Sequence, residues 1–262
     1  QVREFEGNPY VFARIDEPGR PTPEILAQAL PGLYAGIRFT KAMRWNATGM
    51  SFSRPVRWLV ALFGTEVVPF EFAGLKSGRV TRGLRFSATP EQILASAADY
   101  EPYLREEGII LSQAERREKI WREALALAEK TGGTLPDDPA LLDEVTNLVE
   151  KPTPLLASYE KSYLENLPAE VLVGVMKKHQ RYFPVLDDAG KLSPYFIVVR
   201  NGDDQDAEMV VDGNLQVVHA RFADADFFMR EDMDKKLEEF VPKLSQLTFQ
   251  KELGSMLDKT NR

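Results

Sequence analysis

Apolar residues recur along this chain with two different periods. Between residues 54 and 86 they fall in short or alternating runs parted by turn residues, the mark of strands. Arg57-Trp-Leu-Val-Ala-Leu-Phe63 reads as a buried strand, Gly64-Thr65 as a turn, and Val67-Val-Pro-Phe-Glu-Phe72 as a partner strand that Pro69 places at an edge. Val80-Thr-Arg-Gly-Leu-Arg-Phe86 alternates loosely and predicts a third strand. Upstream, Pro9, Pro18, Gly19 and Pro21 predict an extended, turn-rich opening, followed by a short helix over residues 23–30 capped by Thr22.

Helical spacing takes over after residue 88. Thr89-Pro90-Glu91 reads as a helix start, with Thr at the cap and Pro in the first turn. Ser112-Gln-Ala-Glu115 is a capping box opening a long amphipathic helix through Ile120, Trp121, Leu125 and Leu127, and Gly132-Gly133 ends it. Apolar positions 141, 142, 145, 148 and 149 predict another helix, and residues 169–178 a further one behind Pro168. Arg181-Tyr-Phe-Pro-Val-Leu186 and Pro194-Tyr-Phe-Ile-Val-Val-Arg200 flank a turn of Asp187, Asp188 and Gly190, the strongest hairpin signal in the chain. The last part, about 206–262, reads as helical, with an apolar stripe of Met209, Val210, Val217, Val218, Phe222, Phe227 and Phe228, then Leu237, Phe240, Leu244 and Leu247. Strands separated by several helices predict an α+β fold of short, mostly antiparallel strands and amphipathic helices over residues 1–262, with no internal boundary marked.

Composition narrows the chemistry. The 262 residues contain no cysteine and two histidines, His179 and His219, so disulfides, thiolate ligands, cysteine nucleophiles and multi-histidine metal centres are excluded. No apolar run approaches the ~20 residues that span a bilayer, and the first residues do not begin like a signal peptide, so no membrane role and a cytoplasmic location are expected. The absence of an initial Met and the break within a helical pattern at Lys259-Thr-Asn-Arg262 read as a portion of a longer chain.

The net charge of −7 argues against a nucleic-acid partner until its distribution is considered. Residues 38–85 carry nine basic side chains (Arg38, Lys41, Arg44, Arg54, Arg57, Lys76, Arg79, Arg82, Arg85) against Glu66 and Glu71. They are interleaved with Phe39, Trp45, Phe52, Trp58 and Phe63, and basic groups can neutralise phosphates while aromatic faces stack on bases. The alternative is a sheet with a solvated basic face and its aromatics in the core. A second cluster, Lys177, Lys178, His179 and Arg181, sits where a helix runs into a strand. There it offers phosphate contacts, or simply cations placed at the negative end of a helix dipole.

Other candidate chemistry is sparse. Asp224, Asp226, Glu231, Asp232 and Asp234 are hard-cation ligand types, but Arg221, Arg230, Lys235 and Lys236 intersperse them as on any solvated helix. Asp143, Glu144 and Glu150 offer acid–base groups that an amphipathic helix needs anyway, and His179 with Asp187 or Asp188 is the remaining hydrolytic pairing. Nucleotide-loop and serine-elbow signatures are absent; Gly74-Leu-Lys-Ser-Gly78 reads as a turn rather than a phosphate loop.

A series of motifs goes further. Lys41-Ala-Met-Arg-Trp45, Phe52-Ser-Arg-Pro-Val-Arg-Trp58, Thr81-Arg-Gly-Leu-Arg-Phe86, Leu142-Asp-Glu-Val-Thr-Asn-Leu-Val-Glu-Lys-Pro152, His179-Gln-Arg-Tyr-Phe183, Gly213-Asn214, Ala220-Arg-Phe-Ala-Asp-Ala-Asp-Phe-Phe228 and Leu253-Gly-Ser-Met-Leu-Asp-Lys259 occur in order across nearly the whole chain. Together they resemble the beta subunit of bacterial heterotetrameric glycyl-tRNA synthetase, departing from its pattern at Leu84, where His is expected, and after Asn214, where an acidic residue is usual. The resemblance implies a central portion, without the family's N-terminal start, HD-type domain or anticodon-binding domain. Its expected fold is the α+β module of phenylalanyl-tRNA synthetase beta subunits. It implies the alpha subunit, tRNA(Gly) and other beta-subunit domains as partners. ATP and Mg²⁺ are used through the alpha subunit, and this portion is expected to be noncatalytic. On this reading Arg44, Arg54, Arg57, Arg79, Arg82, Arg85, Lys177, Lys178, His179 and Arg181 are candidate RNA contacts, the alternative being a purely structural interaction module.

Overall fold

In the computed structural model, which describes residues 2–13, 15, 18–85 and 90–261, the chain divides into two units, residues 1–109 and 110–262. The first opens with an antiparallel hairpin of β1 (Val2–Phe5) and β2 (Asn8–Val11), turned through Glu6 and Gly7, both at positive φ. Helix α1 (Thr22–Gly36) is longer than predicted. Pro21 rather than Thr22 occupies the cap position, and the helix continues through Pro31, placing Leu30 and Tyr34 against the core of this unit.

The predicted strands form, but in shorter pieces. β3 (Leu59–Val60) and β4 (Leu62–Phe63) part at Ala61, and β4 turns at Gly64 to pair with β5 (Glu66–Val67). Pro69, which lacks an amide donor, separates β5 from β6 (Glu71–Phe72), and β6 pairs instead with β7 (Leu75–Gly78). Ala73 and Gly74 join that pair with φ of 53° and 77°, the two left-handed residues of a type I′ turn. β3 runs parallel to β7. β8 (Val80–Thr81) pairs with β9 (Gln92–Ile93), so a strand stands where a helix opening at Thr89 was expected; Thr89 itself and Phe86 lie outside the described residues. The helix of this region, α2 (Tyr100–Glu106), starts later. Leu59, Phe70, Phe72 and Ala73 form the core, with Tyr34 stacked on Phe70 at 5.7 Å.

The second unit is a three-layer sandwich. Helix α3 (Gln113–Glu129) begins at Ser112, whose hydroxyl accepts from the Glu115 amide, and closes at Gly132 and Gly133, whose amides donate to the Glu129 and Ala128 carbonyls. Helix α4 (Pro139–Leu148) is capped by Asp138. Next comes β10 (Pro152–Ser158), which the sequence pattern does not mark, then α5 (Ser162–Asn166) and α6 (Ala169–Gly174). The helix predicted to reach residue 178 ends in a π-turn over Val175–Gln180, stopped by Arg181 at φ 57°. β11 (Phe183–Leu186) and β12 (Leu192–Asn201) form the predicted hairpin, and the sheet order is β10-β12-β11, all antiparallel.

Period-two alternation assigns this sheet's side chains to its faces. Phe183, Val185, Leu156 and Ile197 pack against α3 and α4, while Tyr182, Ala157, Phe196 and Val198 pack on the opposite face with Leu172, Met176, Val218 and Phe222. Both faces are covered, so β12 reads as a continuous apolar run. Helix α7 (Ala207–Met233) buries Val211, Leu215, Val218, Phe222, Ala225 and Met229, a spacing of alternating fours and threes. The predicted stripe is corrected here: Met209, Val217, Phe227 and Phe228 point to solvent. The C-terminal part is not wholly helical either. After a 3₁₀ stretch over Leu237–Gln246 come β13 (Thr248–Gln250), β14 (Gly254–Ser255) and a short α8 (Met256–Thr260). No helix among the described residues is long and apolar enough to cross a membrane.

Candidate nucleic-acid interface

The basic stretch of the first unit lies mainly on the connection between α1 and β3, residues 37–58, which is ordered without being regular. Met43 and Phe52 exchange backbone hydrogen bonds of 2.8 and 3.1 Å. Within that bridge Asn46 accepts from the Thr48 hydroxyl at 2.6 Å and donates to the Ala73 carbonyl at 2.8 Å, tying the connection to the β6–β7 turn. Phe52 packs edge-on against Phe39 and Phe72, so its ring and that of Trp45 support the core, whereas Trp58 is 43% exposed. The aromatics of this stretch thus divide between the core and the surface.

The nine basic groups separate in the same way. Arg79 is structural: its guanidinium donates to the carbonyls of Leu94, Ala95 and Thr65 at 3.0, 3.1 and 2.9 Å, holding β9 and the β4–β5 turn. Arg82 is paired with Glu91, and Arg44 donates from Nε to the Gly49 carbonyl at 2.9 Å. Arg85 is exposed and has a partner of its own. Arg38, Lys41, Arg54, Arg57 and Lys76 are exposed and form no side-chain hydrogen bond or ion pair among the described residues. A cation with no internal partner is available to an anion at no cost in lost contacts. By that criterion Arg38 and Lys41, which the resemblance did not single out, rank above Arg79 and Arg82, which it did. The distinction is invisible in sequence, because the partners of Arg79 lie 14 to 16 residues away.

In the second unit the cluster around the π-turn is largely a clamp. Lys177 pairs with Asp138 at the cap of α4, and Arg181 donates to Glu144 of α4 at 2.9 Å and to the His179 carbonyl at 3.1 Å. Burial alone would push the Asp138 carboxyl up, but the Lys177 ammonium and the Leu141 amide outweigh it and hold it below the usual carboxylate value. Lys178 and His179 remain exposed. The hydrolytic pairing does not form: Asp187 accepts from the amides of Ala189 and Lys191 within the hairpin turn, and no contact among the described residues joins either carboxylate to the His179 ring. The acidic run is partly engaged, with Asp226 paired to Arg230 at 2.6 Å and Glu231 to Lys235 at 3.2 Å. Asn214 accepts from the buried Tyr182 hydroxyl at 2.6 Å, and Leu215, where the family pattern is departed from, packs partly buried on the same core.

Comparison with known proteins agrees with the ordered motifs. Residues 1–262 match the family described as glycyl-tRNA synthetase beta subunit. The chain belongs to that family. It is 46% identical over 261 residues to the glycine–tRNA ligase beta subunit of Desulfitobacterium hafniense strain Y51, covering 100% of this chain and 38% of that protein. It is 46% identical over 253 residues to the Arabidopsis thaliana protein named glycine–tRNA ligase, chloroplastic/mitochondrial 2, covering 97% of this chain and 23% of the relative. The beta subunit of Myxococcus xanthus is 43% identical over 253 residues, 97% of this chain and 36% of its own length. The chain therefore spans well under half the length of these curated relatives.

Proposed function

We propose that this chain is a noncatalytic part of a glycyl-tRNA synthetase beta subunit, in the cytoplasm, that positions tRNA(Gly) for ATP-dependent glycylation and helps scaffold the alpha–beta assembly. ATP and Mg²⁺ are assigned to the alpha subunit. The observation that carries the RNA half is a set of exposed cations without a partner among the described residues, Arg38, Lys41, Arg54 and Arg57, on a connection held by the Met43–Phe52 bridge beside an exposed Trp58. Phosphate neutralisation by such groups supplies most of a nonspecific RNA affinity and makes it salt-dependent. The scaffolding half rests on the outward face of α7, where Phe227 and Phe228 form an edge-on pair at 5.5 Å while 54% and 62% exposed.

The test separates free from engaged arginines. Arg54→Glu with Arg57→Glu should weaken tRNA(Gly) binding about tenfold or more at low salt and reduce the salt slope by about 1 to 2. Arg79→Gln should instead lower thermal stability, because it strips three carbonyls of their donor. Unchanged affinity and slope in the Arg54/Arg57 variant would remove the RNA half and leave a structural interaction module, the reading that the internal pairing of Arg79, Arg82, Lys177 and Arg181 favours.

A further inference from the structure

Two clefts of the first unit meet at one side chain. The larger, of about 440 Å³, is lined chiefly by Tyr34, Phe52, Val56, Trp58, Leu94 and Tyr100. The smaller, of about 210 Å³, is lined by Arg57, Trp58, Val80, Arg82 and Glu91. Trp58 is the wall they share, and Arg57 precedes it on the same connection. In the small cleft Glu91 pairs with Arg82, leaving Arg57 as the uncompensated charge among the described residues. Among the described residues the large cleft has no charged lining residue and presents four aromatic ones.

Resting on the RNA reading above, we infer that these adjoining clefts take one unstacked nucleotide of a single-stranded RNA segment, its base against Trp58 in the apolar cleft and its phosphate on Arg57. The size of the larger cleft lies within the range of small-ligand sites, about 300–1,000 Å³. An apolar, aromatic lining without a carboxylate favours a flat neutral ring, and the lone guanidinium next door favours an anion tethered to that ring. A nucleotide combines the two. Bases inside an RNA duplex are stacked on their neighbours and cannot enter, so the occupant is a loop, bulge or end. Trp58 is 43% exposed and Tyr100 37% exposed, which leaves ring surface available for stacking.

Three RNA probes test this on the full chain: a short single-stranded oligouridylate, its abasic counterpart with the same phosphates, and a blunt-ended duplex with no unpaired nucleotide. The base-bearing strand should bind more tightly than the abasic one by about tenfold or more, the usual worth of one base–aromatic stack. Trp58→Ala should abolish that preference while leaving duplex affinity unchanged, and Trp58→Phe, which keeps a ring and guards against a folding artefact, should retain most of it. Arg57→Glu should weaken all three probes. Equal affinity for the base-bearing and abasic strands, with Arg54→Glu and Arg57→Glu still weakening both, would overturn the base site and leave the RNA reading standing. Failure of tRNA(Gly) and all three probes to bind would overturn both.

Discussion

Asn214 is a small polar residue with a large structural duty. Its side-chain oxygen accepts from Tyr182, which is 4% exposed, and its amide donates to the Val210 carbonyl at 2.7 Å. Burial pushes the Tyr182 phenol up, keeping it a neutral donor. Asn214→Ala leaves that hydroxyl buried without an acceptor, so unfolding by urea should show a loss of about 1–3 kcal/mol. Tyr182→Phe should cost less, and the double variant should be no worse than Asn214→Ala alone; strictly additive losses would show that the two side chains are not coupled. Asp138 gives a pH signature. Its folded pKa is depressed, so its stabilisation is complete above the unfolded carboxylate value of about 3.9 and is lost as pH falls through the folded value. Asp138→Asn should keep the α4 cap yet flatten the acid limb of the melting-temperature profile, and Asp138→Ala should cost about 1 kcal/mol more by losing the cap. Superimposable acid limbs for wild type and Asp138→Asn would refute the Lys177 pairing.

At the level of elements, legibility followed the clarity of the local pattern. The β11–β12 hairpin announced itself because aromatic and β-branched runs flank an Asp- and Gly-bearing turn, and α3 and α4 did so through caps and periodicity. Strand β10 did not, because Pro152 and Pro154 look like breakers. Prolines at alternate positions remove donors from one side only, which an edge strand tolerates. Helix α7 was recognisable as a helix but not by its buried face, since apolar residues surround it and only tertiary packing selects the Val211–Met229 stripe. That assignment has a measurable consequence. Phe222→Ala should cost about 3–5 kcal/mol, while Phe228→Glu, on the outward face, should change stability by less than about 0.5 kcal/mol. If that face serves the scaffold, Phe228→Glu should still weaken co-purification with the alpha subunit. An assembly as robust as wild type would exclude the scaffolding role for this face.

Across the whole molecule, an overall charge of −7 conceals a basic stretch confined to the first unit. Composition could show that the cations cluster near aromatics. Which of them are free depends on partners brought close by the fold, and no pattern along the chain distinguishes Arg57 from Arg79. The family, by contrast, was legible from motifs in order, because shared ancestry leaves its trace without any structure. The topology of the second unit has a further consequence during synthesis. Both edge strands, β10 and β11, pair with the central β12, which follows them in the chain, so neither has a ladder partner as it emerges. Pro152 of β10 pairs with Asn201, so that strand waits for several tens of residues, on the order of a few seconds at about 5–20 residues per second. During that interval α3 and α4, which precede β10, can cover the face of Leu156, whereas α7, which packs on the face of Leu155, has yet to be made. A growing chain is therefore most open to misassociation or chaperone capture between the release of β10 and the arrival of β12.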